Sequence, residues 1–275
     1  MNSVAQHYSE QWDLLDALDT LNLVAREEAL RELVPQHKEF FAGKKVLVGG
    51  GAYGWEVLIF HRWGAEVTSV DLFTDAAIRF LRHNGVNPNE SGIQIMRQNL
   101  EQLELPDNTF DFIYCNGILC CTPNPTRAFD HLRRVLKPGG QIVLGVYGSG
   151  GYLWALVHVG RLCARVLSLF GIGQKQLGKL LLSIPGFKGV WARRFENEKI
   201  ERVVWTTENL YLPVLLNFRP EEVEAWFTKA EMGHLLRYDT FRKRYVPQRD
   251  YARTNFVTRL KYGTSYLLYA ASKSI

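Results

Sequence analysis

Between residues 9 and 41, SEQWDLLDALDTLNLVAREEALRELVPQHKEFF places apolar residues at spacings of three and four, which predicts helix with a break at Pro35. From residue 44 the period changes. KKVLV (44–48) is a short β-branched run ended by glycines, and GWEVLIFHRW (54–63) returns to a helical pattern. AEVTSVD (65–71) reads as strand. TDAAIRFLRHNG (74–85) reads as helix, with Thr74 as N-cap and Gly85 just past its end. IQIMRQN (93–99) and FDFIYC (110–115) predict strands. PTRAFDHLRRVLKPGG (125–140) predicts a helix stopped by Pro and Gly, and QIVLGVY (141–147) a buried strand.

Residues 148–219 interrupt this alternation with GSGG (148–151), a long apolar stretch and Gly- and Pro-containing turns, and read as a helical insert or lid. RPEEVEAWFTKAEM (219–232) predicts a helix with Pro220 at its first position. GHLLRYDTF (233–241) and SYLLYAASK (265–273) predict two closing strands. Strands alternating with helices of these lengths imply an α/β fold: a doubly wound, mostly parallel, seven-stranded sheet covered on both faces. The expected division is an N-terminal helical cap (1–43), a core (44–148), the helical insert after the fifth strand (149–219), and a C-terminal helix with antiparallel strands that complete the sheet (220–275).

Composition changes this picture little. With 275 residues, 47% of them hydrophobic, the chain can bury a full core without staples. The formal net charge is +5, and residues 237–253 hold Arg237, Arg242, Lys243, Arg244, Arg249 and Arg253. That stretch reads as a solvated basic face, or as attraction to an anionic substrate, a membrane surface or nucleic acid. The four cysteines (Cys115, Cys120, Cys121, Cys163) lack metal-site spacing, so no metal is expected. No secretory signal opens the sequence, and reduced thiols in the cytoplasm fit best. YLWALVHVGRLCARVLSLF (152–170) carries His158, Arg161 and Arg165 at helical spacing, which argues for a buried or interfacial helix over a spanning one.

Candidate chemistry begins at VLVGGGAYG (46–54). Gly50, Ala52 and Gly54 occupy alternating positions of the first strand-to-helix turn, where a backbone can approach a ligand and a helix presents free N–H groups. Asp71 ends the second strand about 20 residues after Gly50, the placement of an acid that binds ribose hydroxyls. A tight structural turn and a loop acid are the plain alternatives. The turn is not followed by Gly-Lys-Ser/Thr, which argues against a P-loop.

The stretch LEQLELPDNTFDFIYCNGILCCTPNPTRAFDHLRRVLKPGGQIVLGVYG resembles the second half of a class I S-adenosylmethionine-dependent methyltransferase. It is similar to the small-molecule branch with an LPDNTFD-type segment and an RVLKPGG turn. The resemblance covers residues 44–148 and, more loosely, 205–232. It implies a Rossmann-like fold and S-adenosylmethionine as cofactor. It places Gly50 and Gly54 under the cofactor, Asp71 on the ribose, and Leu72, Asn99 and Leu100 around the adenine. Asn116 and Gly117 would face the methionine part, Cys120 and Cys121 would lie beside the sulfonium, and Tyr8 would close over the cofactor. Lys137, Pro138, Gly139 and Gly140 take a structural part. Two departures stand out: Val48 occupies the place of the acid that usually ends the first strand, and Ala52 that of a middle glycine.

Methyl transfer from a sulfonium is an in-line displacement governed by positioning, and a general base is required only for a nucleophile with a tightly held proton. No base motif is visible. Tyr147, His158 and Tyr211 are the candidates for contact with the acceptor, each with a packing or surface alternative; His234 reads as structural. Tyr152, Trp154, Phe170, Phe187 and Trp191 form an aromatic lid suited to an apolar or amphipathic small molecule. Three readings follow: a methyltransferase acting on O, N or C of a small metabolite-, quinone- or lipid-like molecule; a cofactor-binding fold that performs cyclisation or another group transfer, or is inactive, motivated by Val48; and a nucleic-acid methyltransferase, motivated by the basic stretch. Peripheral membrane contact, and a monomer or a homodimer, are compatible with each.

Overall fold

The computed structural model describes residues 23–51, 53–88, 92–173, 176–177, 180, 209–239, 242–247, 260, 264 and 266–275. The chain enters on α1 (Leu23–Leu33), turns at Pro35 into a 3-10 turn (Lys38–Phe41), and begins the sheet with β1 (Lys45–Gly49). Then come α2 (Trp55–Arg62), β2 (Glu66–Asp71), α3 (Asp75–His83), β3 (Ile93–Arg97), β4 (Phe110–Asn116), α4 (Pro125–Val135) and β5 (Leu136–Tyr147). After α5 (Tyr152–Ser168) the described chain resumes toward α6 (Pro220–Lys229), β6 (Met232–Asp239), β7 (Arg244–Pro247) and β8 (Tyr266–Lys273).

The strands form one eight-stranded sheet in the order β3-β2-β1-β4-β5-β8-β6-β7. The first five pair in parallel; β8, β6 and β7 join antiparallel. The expectation of seven strands is corrected by β7, Arg-Tyr-Val-Pro, which pairs along β6 from Leu236↔Pro247 to Asp239↔Arg244. Its two outer positions are polar or proline, as a sheet edge tolerates, and this hid it inside the basic stretch. The helix expected over 125–140 ends at Val135. Leu136 already pairs with Phe110, and the register slips before Phe112↔Gln141, so Lys-Pro-Gly-Gly forms a bulged start to β5.

Both faces of the sheet are buried, so its strands read as nearly continuous apolar runs. Val46 and Val48 point to one face with Phe41, Leu58, Phe60 and Phe112; Leu47 points to the other with Ile113, Phe129, Leu132 and Phe227. The Phe41 ring sits 5.0 Å from both Phe60 and Phe112, which fastens the 3-10 turn beneath β1. No helix among the described residues is long and apolar enough to cross a membrane. This order puts β1 between β2 and β4, where successive connections leave in opposite directions. A crevice opens there beyond the carboxyl ends of the strands.

Candidate active site

The glycine turn lies over that crevice. Gly50 and Gly54 adopt φ values of 78° and 101°, in the left-handed region that favours glycine. Gly50 N–H donates to Val70 O at 2.8 Å, which ties the turn to the end of β2. Gly54 caps α2 without a side-chain hydrogen bond to that helix's first N–H groups. The close packing is internal as well: a Cβ on Gly50 would fall 2.1 Å from Ile118, and one on Gly51 would fall 1.9 Å from the Ser69 hydroxyl. Ala52 and Tyr8 lie outside the described residues.

Asp71 stands at the tip of β2, and its Oδ1 accepts from Phe73 N–H at 3.1 Å. That bond orients the carboxylate; a carboxylate has about four acceptor sites, so capping one N–H does not exhaust it. Leu72 beside it is partly exposed. Asn99 caps the short turn after β3 by accepting from Glu101 N–H at 3.0 Å, while the side chain of Leu100 is buried in the core. Glu101 holds the next loop: its two carboxylate oxygens accept from the backbone and side-chain N–H groups of Asn124, each at 3.0 Å. The turns after β3 and β4 are thereby braced against each other.

Beyond β4, the Asn116 amide is clamped by two phenols. It donates to Tyr114 Oη at 3.0 Å and accepts from Tyr266 Oη at 2.5 Å. Burial pushes the pKa of both tyrosines well up, so both stay neutral, Tyr114 accepting and Tyr266 donating. The clamp requires Gly145, where a Cβ would lie 1.9 Å from Asn116 Oδ1. Gly117 (φ 80°) follows and donates to Gly145 O at 2.9 Å. Cys120 is fully buried; its thiol donates to Gly117 O at 3.0 Å and lies 3.9 Å from that of Cys121. Burial raises its pKa, and the pair packs as small apolar side chains.

Gly50, Gly54, Asp71, Leu72, Asn99, Asn116 and Gly117 thus meet at the carboxyl ends of β1 to β4. Tyr147, at the end of β5, lies tilted 5.2 Å from Trp154 and edge-on 5.7 Å from Tyr266, the tyrosine that holds Asn116. Tyr211 does not join them: its hydroxyl donates to Ile172 O at 3.0 Å. His158 lies exposed on α5. Of the aromatic lid residues, Tyr152 and Phe170 are exposed, while Phe187 and Trp191 lie outside the described residues. Among the described residues no cluster of ligating side chains suits a metal.

Val48 is buried beside Tyr114 in the β1–β4 register, so the usual acid position has become core. An acid overlooked in the sequence stands nearby. Glu56, in the first turn of α2, is half-buried and within electrostatic reach of Tyr114. Burial raises its pKa, which the Arg26 charge partly offsets. Arg26 itself lies 3.9 Å over the Trp55 ring. Gly145 carried a sequence signal, a lone glycine inside an apolar strand; Glu56 carried none.

Comparison with known proteins bears on this geometry. Residues 46–144 match the family model described as a methyltransferase domain. A ubiquinone biosynthesis O-methyltransferase of Xanthomonas oryzae pv. oryzae is 32% identical over 122 residues, 43% of this chain and 49% of that one. A malonyl-[acyl-carrier protein] O-methyltransferase of Paenibacillus sp. is 24% identical over 148 residues, 53% of this chain and 52% of that one. The chain spans about half the length of these curated relatives. Among solved structures, the Burkholderia thailandensis 1,6-didemethyltoxoflavin-N1-methyltransferase, with bound 1,6-didemethyltoxoflavin and S-adenosylhomocysteine, superposes with a TM-score of 0.51 at 16% identity, covering 97% of this chain and 85% of that one. Sheet order, glycine turn and family match coincide over β1 to β5, and the chain has the Rossmann-like methyltransferase fold.

Proposed function

We propose that the protein is an S-adenosylmethionine-dependent methyltransferase acting on O, N or C of a small, amphipathic molecule. The observation that carries this reading is Asp71, fixed at the tip of β2 beside a positive-φ glycine turn at the sheet's switch point. The residues present suit the cofactor. Asp71 would accept from its ribose hydroxyls, the N–H groups at the start of α2 and the glycine backbone would receive its carboxylate, and Asn99 and Leu72 would border the adenine. Glu56 would supply, next to its ammonium group, the negative charge that Val48 lacks. When bound, the cofactor supplies an electrophilic methyl group on sulfur.

The chain's own part is then positioning. The Tyr114–Asn116–Tyr266 clamp fixes the edge of the crevice, Tyr147 and Trp154 wall the acceptor side, and α5 covers it. Orientation of this kind contributes up to roughly 7–11 kcal/mol to such reactions. The similarity to two O-methyltransferases supports oxygen as the acceptor atom. The nucleic-acid reading loses much of its motivation. Within the basic stretch Arg237 is buried, Arg242 pairs with Asp239 at 3.7 Å, and Lys243 pairs with Glu32 at 3.0 Å.

The test is transfer of an isotope-labelled methyl group from S-adenosylmethionine to a panel of amphipathic hydroxy-, amino- and carboxy-compounds. The reading expects one class to be methylated with stoichiometric formation of S-adenosylhomocysteine, and Asp71→Ala to lose that turnover. Tight cofactor binding with no S-adenosylhomocysteine from any acceptor would instead favour cyclisation or another non-methylating chemistry.

A further inference from the structure

The polar stripe of α5 divides: His158 and Arg165 are exposed, and Arg161 is not. Arg161 is turned inward and only 8% exposed, while Leu156, Val159, Leu162 and Val166 are apolar side chains exposed on the same helix. Arg161 is held there by two carbonyls. Its Nη1 donates to Asn209 O and its Nη2 to Leu212 O, each at 2.7 Å. Neither acceptor carries charge, and no carboxylate among the described residues pairs with Arg161. Arg165 stands one turn further on, close enough that its charge adds to burial in lowering the Arg161 pKa. A guanidinium withdrawn from water beside a second cation is costly until an anion meets it.

Space for that anion is present. A cavity of about 390 Å³ lies between α5 and the chain at 213–216. His158, Arg161 and Arg165 line it on one side, Leu162, Leu215 and Leu216 contribute apolar surface, and among the described residues no acidic side chain lines it. The cavity adjoins the turn after β4: Leu216 N–H donates to Cys120 O at 2.7 Å, and Cys121 is within electrostatic reach of Arg161. We propose that this cavity is the acceptor's anion subsite, where Arg161 and Arg165 hold a carboxylate or phosphate group and the leucines take the adjoining apolar part. The proposal rests on the methyltransferase reading and narrows it to anionic, amphipathic acceptors. Arg161 and Arg165 act here by binding and orienting, and no bond to them forms or breaks.

The test is calorimetric titration of the full chain with decyl phosphate and with 1-decanol. Decyl phosphate should bind saturably at one site and more tightly than the alcohol. Arg161→Met and Arg165→Met should each weaken it by about tenfold, the loss expected for a charge-assisted hydrogen bond, while decanol is unaffected. Because Arg161 also holds two carbonyls, the exposed Arg165 gives the variant least bound up with folding. Equal binding of both probes, or decyl phosphate binding that neither substitution changes, overturns the subsite. Vesicles separate an acceptor from a lipid headgroup: capture by phosphatidylglycerol but not phosphatidylcholine vesicles, lost in Arg165→Met and unaccompanied by saturable decyl phosphate binding, would assign the arginines to a membrane and overturn the acceptor assignment. S-adenosylmethionine titration of the same samples keeps the two readings apart, since its failure removes the methyltransferase reading and leaves an anion site standing.

Discussion

Gly145 shows how strictly one position is set by its neighbours. With no space between it and the Asn116–Tyr266 hydrogen bond, Gly145→Ala should destabilise the fold by about 1–3 kcal/mol, as overpacking does. Removing the obstructing amide should restore part of that. In urea unfolding, Asn116→Ala is therefore expected to cost less in the Gly145→Ala background than alone, and strictly additive costs would show that the clamp is not what excludes a side chain. Glu56 gives a pH signature. Burial raises its folded pKa above the unfolded value, so the folded state holds the proton more tightly. The associated stability is complete below the unfolded pKa and is lost as pH rises through the folded one. Glu56→Gln should therefore gain stability relative to the parent as pH rises above the unfolded carboxyl value toward neutrality. A difference that stays constant across unfolding curves in that range would mean the carboxyl is not held in a desolvated place. Asp71 was legible from its spacing alone, because strand ends and glycine turns leave local marks. Glu56 was not, since its significance comes from the approach of Tyr114 and Arg26, which are remote in sequence.

Elements built from local periodicity were legible to within a few residues. α2, α3, α6, β2 and β8 fall where apolar spacing, Pro220 and Gly85 place them. Two features depended on partners and did not show. The Lys-Pro-Gly-Gly segment joins β5 because Phe110 pairs with Leu136, and β7 exists because β6 offers it an edge. α5 shows the limit most clearly. His158, Arg161 and Arg165 mark a polar stripe in the sequence, but carbonyls at 209 and 212 draw Arg161 inward and leave leucines and valines outside. An exposed apolar helix bordering the crevice suits a cover that shifts when ligands bind. With S-adenosylmethionine and an acceptor present, limited proteolysis within 152–170 should slow several-fold relative to the free protein. Equal cleavage rates in both states would contradict a moving cover.

At the scale of the molecule, the alternation of strands and helices specifies a parallel sheet, and the order β3-β2-β1-β4-β5 sets the crevice at the β1/β4 boundary. Everything assigned to the cofactor follows from that placement: the turn after β1, the acid after β2 and the clamp after β4 converge because the sheet reverses its winding there. The apolar Val48 leaves the fold unchanged, since it packs as any core residue would. Under the proposed function, the task of meeting a positive charge falls to Glu56 on α2. The fold alone does not choose the chemistry, and cofactor binding is the step on which the account depends. Calorimetric titration of the full chain with S-adenosylmethionine and S-adenosylhomocysteine, alongside Asp71→Ala, measures it directly. The account predicts micromolar binding, roughly 8 kcal/mol of affinity, that the Asp71 variant loses while remaining folded. No binding of either compound, or equal binding by the variant, would contradict it.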